Sequence, residues 1–352
     1  MFPKEIVIGD KIIGVGHPTY IIAEIGANFD NNIEKAKLLC LKAKESGADC
    51  AKFQSFISQK IVSGKGFANM KLKGVHGSWS KPIEQVFKEA EFPREWHKEI
   101  SDYCKEIDIH FSTSPYDFEA VDLCEQLNVP FIKIGSGEIT WHEILEHIAS
   151  KNKPMFLATG DSTLSEIDEA VRVIESTGNN NLVLMQCITN YPSKIESANI
   201  SVLKTYKKAF NILTGYSDHS PGLVVALGSV SLGACVIEKH FTLNNNDIGP
   251  DHPHSMNVSD FKTMVKCIRE LEKALGSSRK QVVDEESETV IVQRRCLYAN
   301  KNILKDDIIK YDDIIELRPA LGIYPKYKKN IIGKRASRYI EKYTPIFWED
   351  II

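Results

Sequence analysis

Short runs of apolar, β-branched and aromatic residues recur along the chain at 20–25, 49–53, 110–114, 130–135, 154–159, 182–187, 213–218 and 235–241. Between them, apolar residues return at intervals of three and four. In 32–46 these are Ile33, Ala36, Leu39, Cys40 and Ala43, which share one face of a helix. The stretches 118–127, 164–176 and 223–233 read the same way. Strand–helix alternation predicts a parallel sheet. Eight such units over about 255 residues match the count and length of a (β/α)8 TIM barrel. A doubly wound open sheet is the alternative, but it usually needs fewer strands, and no G-x-G-x-x-G follows the first run. A helix over 259–275 closes this region, so the pattern sets a barrel domain at 1–275. Residues 276–293 read as a polar linker or surface arm. From Arg294 short β-like pieces (296–299, 314–317, 339–340) sit among Pro, Gly and Lys. They predict a small β-rich domain over 294–352, near the size at which a lone core is marginal.

Composition narrows the function classes. Hydrophobic residues are 43% and charged residues 26% of the 352, as in a folded globular protein. Lys+Arg 44 against Asp+Glu 47 leaves no global basic field for nucleic acid. No run approaches a membrane span, and residues 1–10 lack a signal-peptide core, so no membrane association is expected. Eight cysteines lie scattered with no C-x-x-C pair. That usage fits a reducing, cytoplasmic compartment and argues against a thiol-ligated zinc site.

In a barrel, chemistry gathers at the C-terminal ends of the strands. Those ends here carry Glu24, Lys52 and Gln54, Ser112-Thr113-Ser114, Lys133, Ser136 and Glu138, Thr159, Gln186 and Asn190, Ser217-Asp218-His219, and Glu238-Lys239-His240, with Asp251 and His252 in the loop that follows. A lone lysine in a strand is usually a surface residue. Lys52 and Lys133, however, lie among apolar neighbours, where an unpaired ammonium is costly. Two of them beside hydroxyls favour a phosphorylated ligand. His219 and His240 end adjacent strands, so they either bind a divalent cation, completed by Asp251 or Glu24, or are hydrogen-bonded core histidines. His254 reads as a solvent-exposed loop residue.

The ordered segments A-E-I-G (23–26), K-F-Q (52–54), S-P-Y-D (114–117), K-I-G-S-G-E-I (133–139), A-T-G (158–160), N-Y-P (190–192), G-Y-S-D-H (215–219), I-E-K-H-F (237–241) and G-P-D-H (249–252) resemble the sialic acid synthase family. R-P-A-L-G-I (318–323) and G-K-R-A (333–336) resemble its antifreeze-like (SAF) domain. The resemblance covers nearly the whole chain. It implies condensation of phosphoenolpyruvate with N-acetylmannosamine or a related diacetamido sugar. The activity would be that of an N-acetylneuraminate synthase or, alternatively, an N,N'-diacetyllegionaminate synthase. By position it implies phosphoenolpyruvate binding by Lys52, Thr113, Lys133, Ser136, Thr159, Asn190 and Ser217. It implies sugar contacts from Tyr191, Asp251 and Arg318, and catalytic roles for Glu24, Glu138 and Asp251. It also implies a divalent metal on His219 and His240 (typically manganese, with magnesium or cobalt as alternatives) and a domain-swapped homodimer in which Arg318 enters the partner's barrel. G-P-D-H speaks against the pseudaminic branch.

The chain departs from the family pattern at Phe29, where many members have histidine, at Trp141-His142, and at His76-Gly77-Ser78-Trp79. These departures fall on loops with access to the sugar and bear on the acceptor, not on the reaction. Outside the family, two readings stand: a Schiff-base aldolase using Lys133, and a non-catalytic sugar- or ice-binding protein.

Overall fold

The computed structural model describes residues 1–70, 77 and 79–352. It divides into two units, Met1–Gly276 and Ser277–Ile352.

The first unit is a barrel. After a hairpin of β1 (Glu5–Ile8) and β2 (Lys11–Gly14) come eight parallel strands: β3 (Tyr20–Glu24), β4 (Cys50–Ser55), β5 (His110–Pro115), β6 (Ile132–Ile134), β7 (Met155–Ala158), β8 (Leu182–Cys187), β9 (Leu213–Asp218) and β10 (Val236–Thr242). Hydrogen-bonded neighbours run β5-β4-β3-β10-β9-β8-β7-β6. The two ends of this path meet where the Ser112 hydroxyl donates to the Phe131 carbonyl, 2.8 Å. Near-closure, with the first strand paired to the last, rules out the doubly wound alternative.

Strands covered on both faces are apolar throughout, so side-chain parity decides which residues point inward. Tyr20, Ile22, Cys50, Phe131, Phe156, Val183, Met185, Leu213 and Val236 form one inner cluster. Ile6, Ile8 and Ile13 of the hairpin join it. The hairpin thus plugs the end of the barrel opposite the strand C-termini, a role that nothing read from residues 1–10 announced. The intervening residues, such as Ile21, Ala23, Ala51 and Phe53, face outward into the larger core shared with the helices.

Helix starts are set by side-chain caps. Asn32 accepts from the Glu34 and Lys35 amides and starts Ile33–Glu45. Asp117 caps Phe118–Gln126, and Thr163 with Glu166 forms a capping box on Leu164–Ser176. Asn257 caps Val258–Leu275, the helix after a short strand β11 (Met256–Asn257) that pairs with β10.

In the second unit, β12 (Cys296–Ala299) and β13 (Ile314–Leu317) pair antiparallel. The expected piece at 339–340 contributes only an isolated bridge, Ile303 to Ile340. Leu297, Ile303, Ile309, Ile314, Ile323, Ile331 and Ile346 belong to its core. The stretch read as a linker holds a short helix, Ser287–Gln293, and the Ile291 carbonyl accepts from the Ala320 amide at 2.9 Å. Residues 277–293 therefore belong to this unit. No helix among the described residues is long and apolar enough to cross a membrane.

Candidate active site

Inward parity on β3, β4, β6 and β10 brings four charges together above the apolar layers. Lys52 Nζ lies 2.6 Å from Glu24 Oε2 and donates to Ser114 Oγ at 3.0 Å. Glu238 Oε1 lies 3.2 Å from Lys133 Nζ and 3.7 Å from Lys52 Nζ. Ser217 Oγ donates to the same oxygen at 3.2 Å, and Gln54 Nε2 donates to Glu24 Oε1 at 2.7 Å. All four charged side chains are at most 6% exposed. Burial would lower the Lys52 pKa, but Glu238 and Glu24 outweigh it and hold it raised. Burial raises Glu24 despite Lys52 beside it. Burial also opposes the charge on Glu238, yet Lys133 and Lys52 overcome it and its pKa is lowered. Glu238 is thus the firm anion of the group, and Glu24 the readier proton acceptor.

The strand ends above this layer carry a second set. His240, Asp251 and His254 bring ligand atoms within 4.8 Å of one another. His240 Nδ1 lies 3.9 Å from Asp251 Oδ2, and His254 Nε2 lies 3.8 Å from Asp251 Oδ1. Both nitrogens are buried with no hydrogen-bond partner among the described residues. His254 is not the exposed loop residue expected of it, since its side chain is 4% exposed. The loop folds back because Asn28 Nδ2 donates to Ser255 Oγ, which in turn donates to the Asp251 carbonyl. Gly26 makes the approach of Asp251 feasible. Its φ is +54°, and a Cβ there would meet Asp251 Oδ2 at 2.4 Å. The Ala27 amide then donates to that oxygen at 2.9 Å.

His219 stands alongside, its ring centroid 5.6 Å from that of His240. A carbonyl only accepts, so the 2.8 Å contact with the Ile188 oxygen places the proton on Nδ1 of His219 and leaves Nε2 its lone pair. Burial lowers the His219 pKa to about 4. It also holds His240 well below its usual value, reinforced by His254 and His219, and lowers His254. Neutral imidazoles with orphaned nitrogens and one carboxylate fit a borderline divalent cation. The Tyr191 ring packs, tilted, against those of His219 at 4.2 Å and His254 at 5.0 Å between centroids. Asp30, Asp247 and His252 also cluster. Lys35 pairs with both carboxylates, and His252 spends its nitrogens on Thr242 and Asp30. This second cluster is a tie between loops.

The remaining sequence candidates divide by parity. Ser136 accepts from the Gly160 amide at 3.0 Å. A Cβ at Gly160 would meet Thr189 Oγ1 at 2.2 Å and Ser136 Oγ at 2.8 Å, so the glycine opens a small polar recess. Asn190 is exposed at its rim, its amide on the Pro192 carbonyl. Glu138 lies over Gly135 beside Tyr116, and burial pushes its pKa up to about 7. Two expectations need correction. Thr113 lies on the outer face of β5 opposite Phe53, its hydroxyl spent on the Phe53 carbonyl at 3.1 Å. The hydroxyl facing the lysines is Ser114. Thr159 also lies outside, bonded to the Met185 carbonyl and Tyr206.

The departures correct similarly. Phe29 is fully buried among Phe92, Trp96 and Phe53. Trp141 packs edge-on to Phe118 and is 38% exposed. His76 and Ser78 lie outside the described residues. Trp79 does line a pocket, with Gln54, His240, Asp251 and His254. Sequence reasoning placed Glu238 at a strand end but gave it no role. Its signal was parity with His240 two residues on. Lys239 points the other way, to Asp218 at 2.7 Å. Arg318 is exposed at the end of β13 in the second unit.

Comparison with known proteins assigns the chain to a family. Residues 39–280 match the family model described as the NeuB family, and residues 294–352 match the SAF domain. The N,N'-diacetyllegionaminic acid synthase of Campylobacter jejuni is 38% identical over 323 residues, covering 91% of this chain and 96% of that protein. The N-acetylneuraminate-9-phosphate synthase of Mus musculus is 33% identical over 341 residues, 96% and 94% of the two chains. The solved N-acetylneuraminic acid synthetase of Leptospira borgpetersenii, in complex with citrate, superposes with a TM-score of 0.73 at 27% identity, covering 82% and 96%. The chain is therefore an enzyme of the NeuB family, the family of the nonulosonic acid synthases.

Proposed function

We propose that this enzyme condenses phosphoenolpyruvate with the open-chain form of a 2-acetamido hexose, giving a nonulosonic acid and inorganic phosphate. The observation that carries the reading is the convergence of Lys52 and Lys133 on Glu238 beneath the His240, Asp251 and His254 donors. Burying two ammonium groups is expensive. A ligand with both a carboxylate and a phosphate gives them a use.

In this account Lys52 and Lys133 hold the anionic groups of phosphoenolpyruvate, and Ser217, with Ser136 and Asn190 at the recess, fixes its orientation. The methylene carbon adds to the acceptor aldehyde, and cationic character develops at the enol carbon. Glu24, in contact with Lys52, orients the water that adds there and takes its proton. The resulting tetrahedral carbon expels phosphate by carbon–oxygen cleavage. His240, Asp251 and His254, with His219 beside them, would hold a divalent cation, manganese in this reading, which would supply Lewis acidity toward the aldehyde oxygen. Tyr191 and Glu138 face the acceptor. Arg318 serves the partner's barrel in a domain-swapped homodimer.

The test is phosphate release from phosphoenolpyruvate across a panel of acetamido sugars. Release that depends on an acetamido hexose supports the reading. Release without any sugar, or none with the whole panel, counts against it. Borohydride with substrate should leave the protein unlabelled, whereas a Schiff-base aldolase would be trapped.

A further inference from the structure

The strand ladders stop short of His219. β9 pairs with β8 as far as Cys187 opposite Ser217, and with β10 as far as Lys239 opposite Asp218. His240, by contrast, is still paired, opposite Glu24 of β3. His219 therefore sits past the last ladder position on both sides of its strand. Its ring donates to the Ile188 oxygen at 2.8 Å, and its carbonyl accepts from the Ser193 amide at 2.9 Å. Both partners belong to the loop after β8, whose Thr189 and Asn190 are exposed, and a loop is a softer anchor than a ladder. Asp218 and Lys239 supply a firmer one. Lys239 Nζ donates to Asp218 Oδ2 at 2.7 Å and to the Ser220 carbonyl at 2.6 Å. Asp218 Oδ1 accepts from the Ser220 amide at 2.9 Å and from its hydroxyl at 2.6 Å. The residues on either side of His219 are thus bound to one ammonium on β10, from the residue next to His240.

The Asp218 and Lys239 side chains are at most 3% exposed. Taking two charges out of water costs about as much as their attraction returns, and an apolar pair of similar volume is often no less stable. Stability therefore does not account for ions at this place, whereas geometry does. Resting on the metal reading above, we propose that the Asp218–Lys239 pair is a positioning device. From the outer face of the barrel it fixes His219 beside His240, ring centroids 5.6 Å apart, with the Nε2 lone pair of His219 available to the cation. Ser217 and Glu238, one position earlier, remain opposite each other within the ladder, and Lys52 and Lys133 stand on β4 and β6. Loss of the pair therefore loosens His219 and leaves the phosphoenolpyruvate groups in place.

The experiment titrates manganese into the metal-stripped full chain, followed by electron paramagnetic resonance, and phosphoenolpyruvate into the same metal-free protein, followed by calorimetry. Wild type is compared with the double variant Asp218→Leu/Lys239→Met, which is apolar and of similar volume. Asp218→Asn, which still accepts from Ser220, is the conservative variant, and thermal unfolding checks the fold of each. We expect manganese affinity to fall by about 10–100-fold in the double variant, the usual loss when an outer partner of a ligand is removed. Asp218→Asn should lie between the double variant and wild type, and phosphoenolpyruvate affinity should stay unchanged in both. Wild-type manganese affinity in the double variant, or in Asp218→Asn if the double variant does not fold, overturns the proposal and leaves the metal reading standing. A parallel loss of both affinities, the mark of general loosening, overturns it too. Absence of manganese binding by wild type overturns the metal reading and the proposal with it.

Discussion

Glu238 Oε1 lies 3.2 Å from Lys133 Nζ, inside the barrel, and the same oxygen lies 3.7 Å from Lys52 Nζ. One carboxylate oxygen is thus shared by the two ammonium groups that the proposed reaction uses, while Glu24 also pairs with Lys52 at 2.6 Å. Glu238→Gln should destabilise the ligand-free enzyme by about 3 kcal/mol, the usual cost of breaking a buried pair from one side. Phosphoenolpyruvate, bringing its own negative charge, should raise the melting temperature of this variant more than that of wild type. Lys52→Ala and Lys133→Ala should each cost about 1.5–3 kcal/mol of phosphoenolpyruvate affinity. Their sugar affinity should hardly change. Thermal unfolding and calorimetric titration read both effects, and equal phosphoenolpyruvate affinity across the lysine variants would place these residues outside the binding site.

The orphaned nitrogens of His240 and His254 set up a metal prediction. His254→Ala and Asp251→Asn should weaken manganese binding by more than the roughly 10–100-fold that follows loss of an outer partner of a ligand. Chelation should abolish turnover, and manganese should restore it. Manganese titration followed by electron paramagnetic resonance makes the comparison. Loss of binding in His219→Ala with full binding in His254→Ala would return the site to the two-histidine arrangement that the resemblance implies.

Burial holds Glu138 at about 7 in the folded enzyme, against an ordinary 4.5. Between those values the folded state keeps a proton that the unfolded chain has lost. Stability from this group is therefore complete below about pH 4.5 and is lost as pH rises through about 7. Glu138→Gln removes the dependence. Relative to wild type, the variant should gain on the order of 2–3 kcal/mol between pH 5 and pH 8. Urea unfolding at the two pH values measures it, and parallel curves would show that the carboxyl is solvated.

The barrel was legible because eight apolar runs and their intervening helices keep their periods; the caps Asn32, Asp117 and Thr163 emerged only with the structure. Within the site, legibility followed parity. Lys52, Lys133, Ser217 and His240 lie on inward positions and were found, whereas Thr113 and Thr159 were chosen one position out of phase. Glu238 was visible by the same rule, two residues before His240. His254 was not, because its burial depends on Asn28, Ser255 and Gly26, which are distant or backbone effects. The closing hairpin escaped notice because a four-residue strand leaves little periodicity to read.

Arg318 carries the prediction about assembly. Arg318→Ala and Arg318→Lys should both impair turnover with the fold intact, because an ammonium cannot reproduce the planar fork of a guanidinium. Mixing Arg318→Ala subunits with His240→Ala subunits should restore activity if the second unit serves the partner's barrel. Each heterodimer then contains one site with an intact barrel and an intact arginine. Verified heterodimers with no recovered activity would exclude the trans arrangement.

The central claim is carbon–oxygen cleavage of phosphoenolpyruvate driven by addition to an acetamido aldehyde. It is tested most directly with phosphoenolpyruvate labelled with heavy oxygen at the bridge between the enol carbon and phosphorus. The account predicts that, in the presence of the acetamido sugar, the released inorganic phosphate retains the bridging label. Unlabelled phosphate, with the heavy oxygen left on the carbon product, would mean phosphorus–oxygen cleavage and would contradict the account.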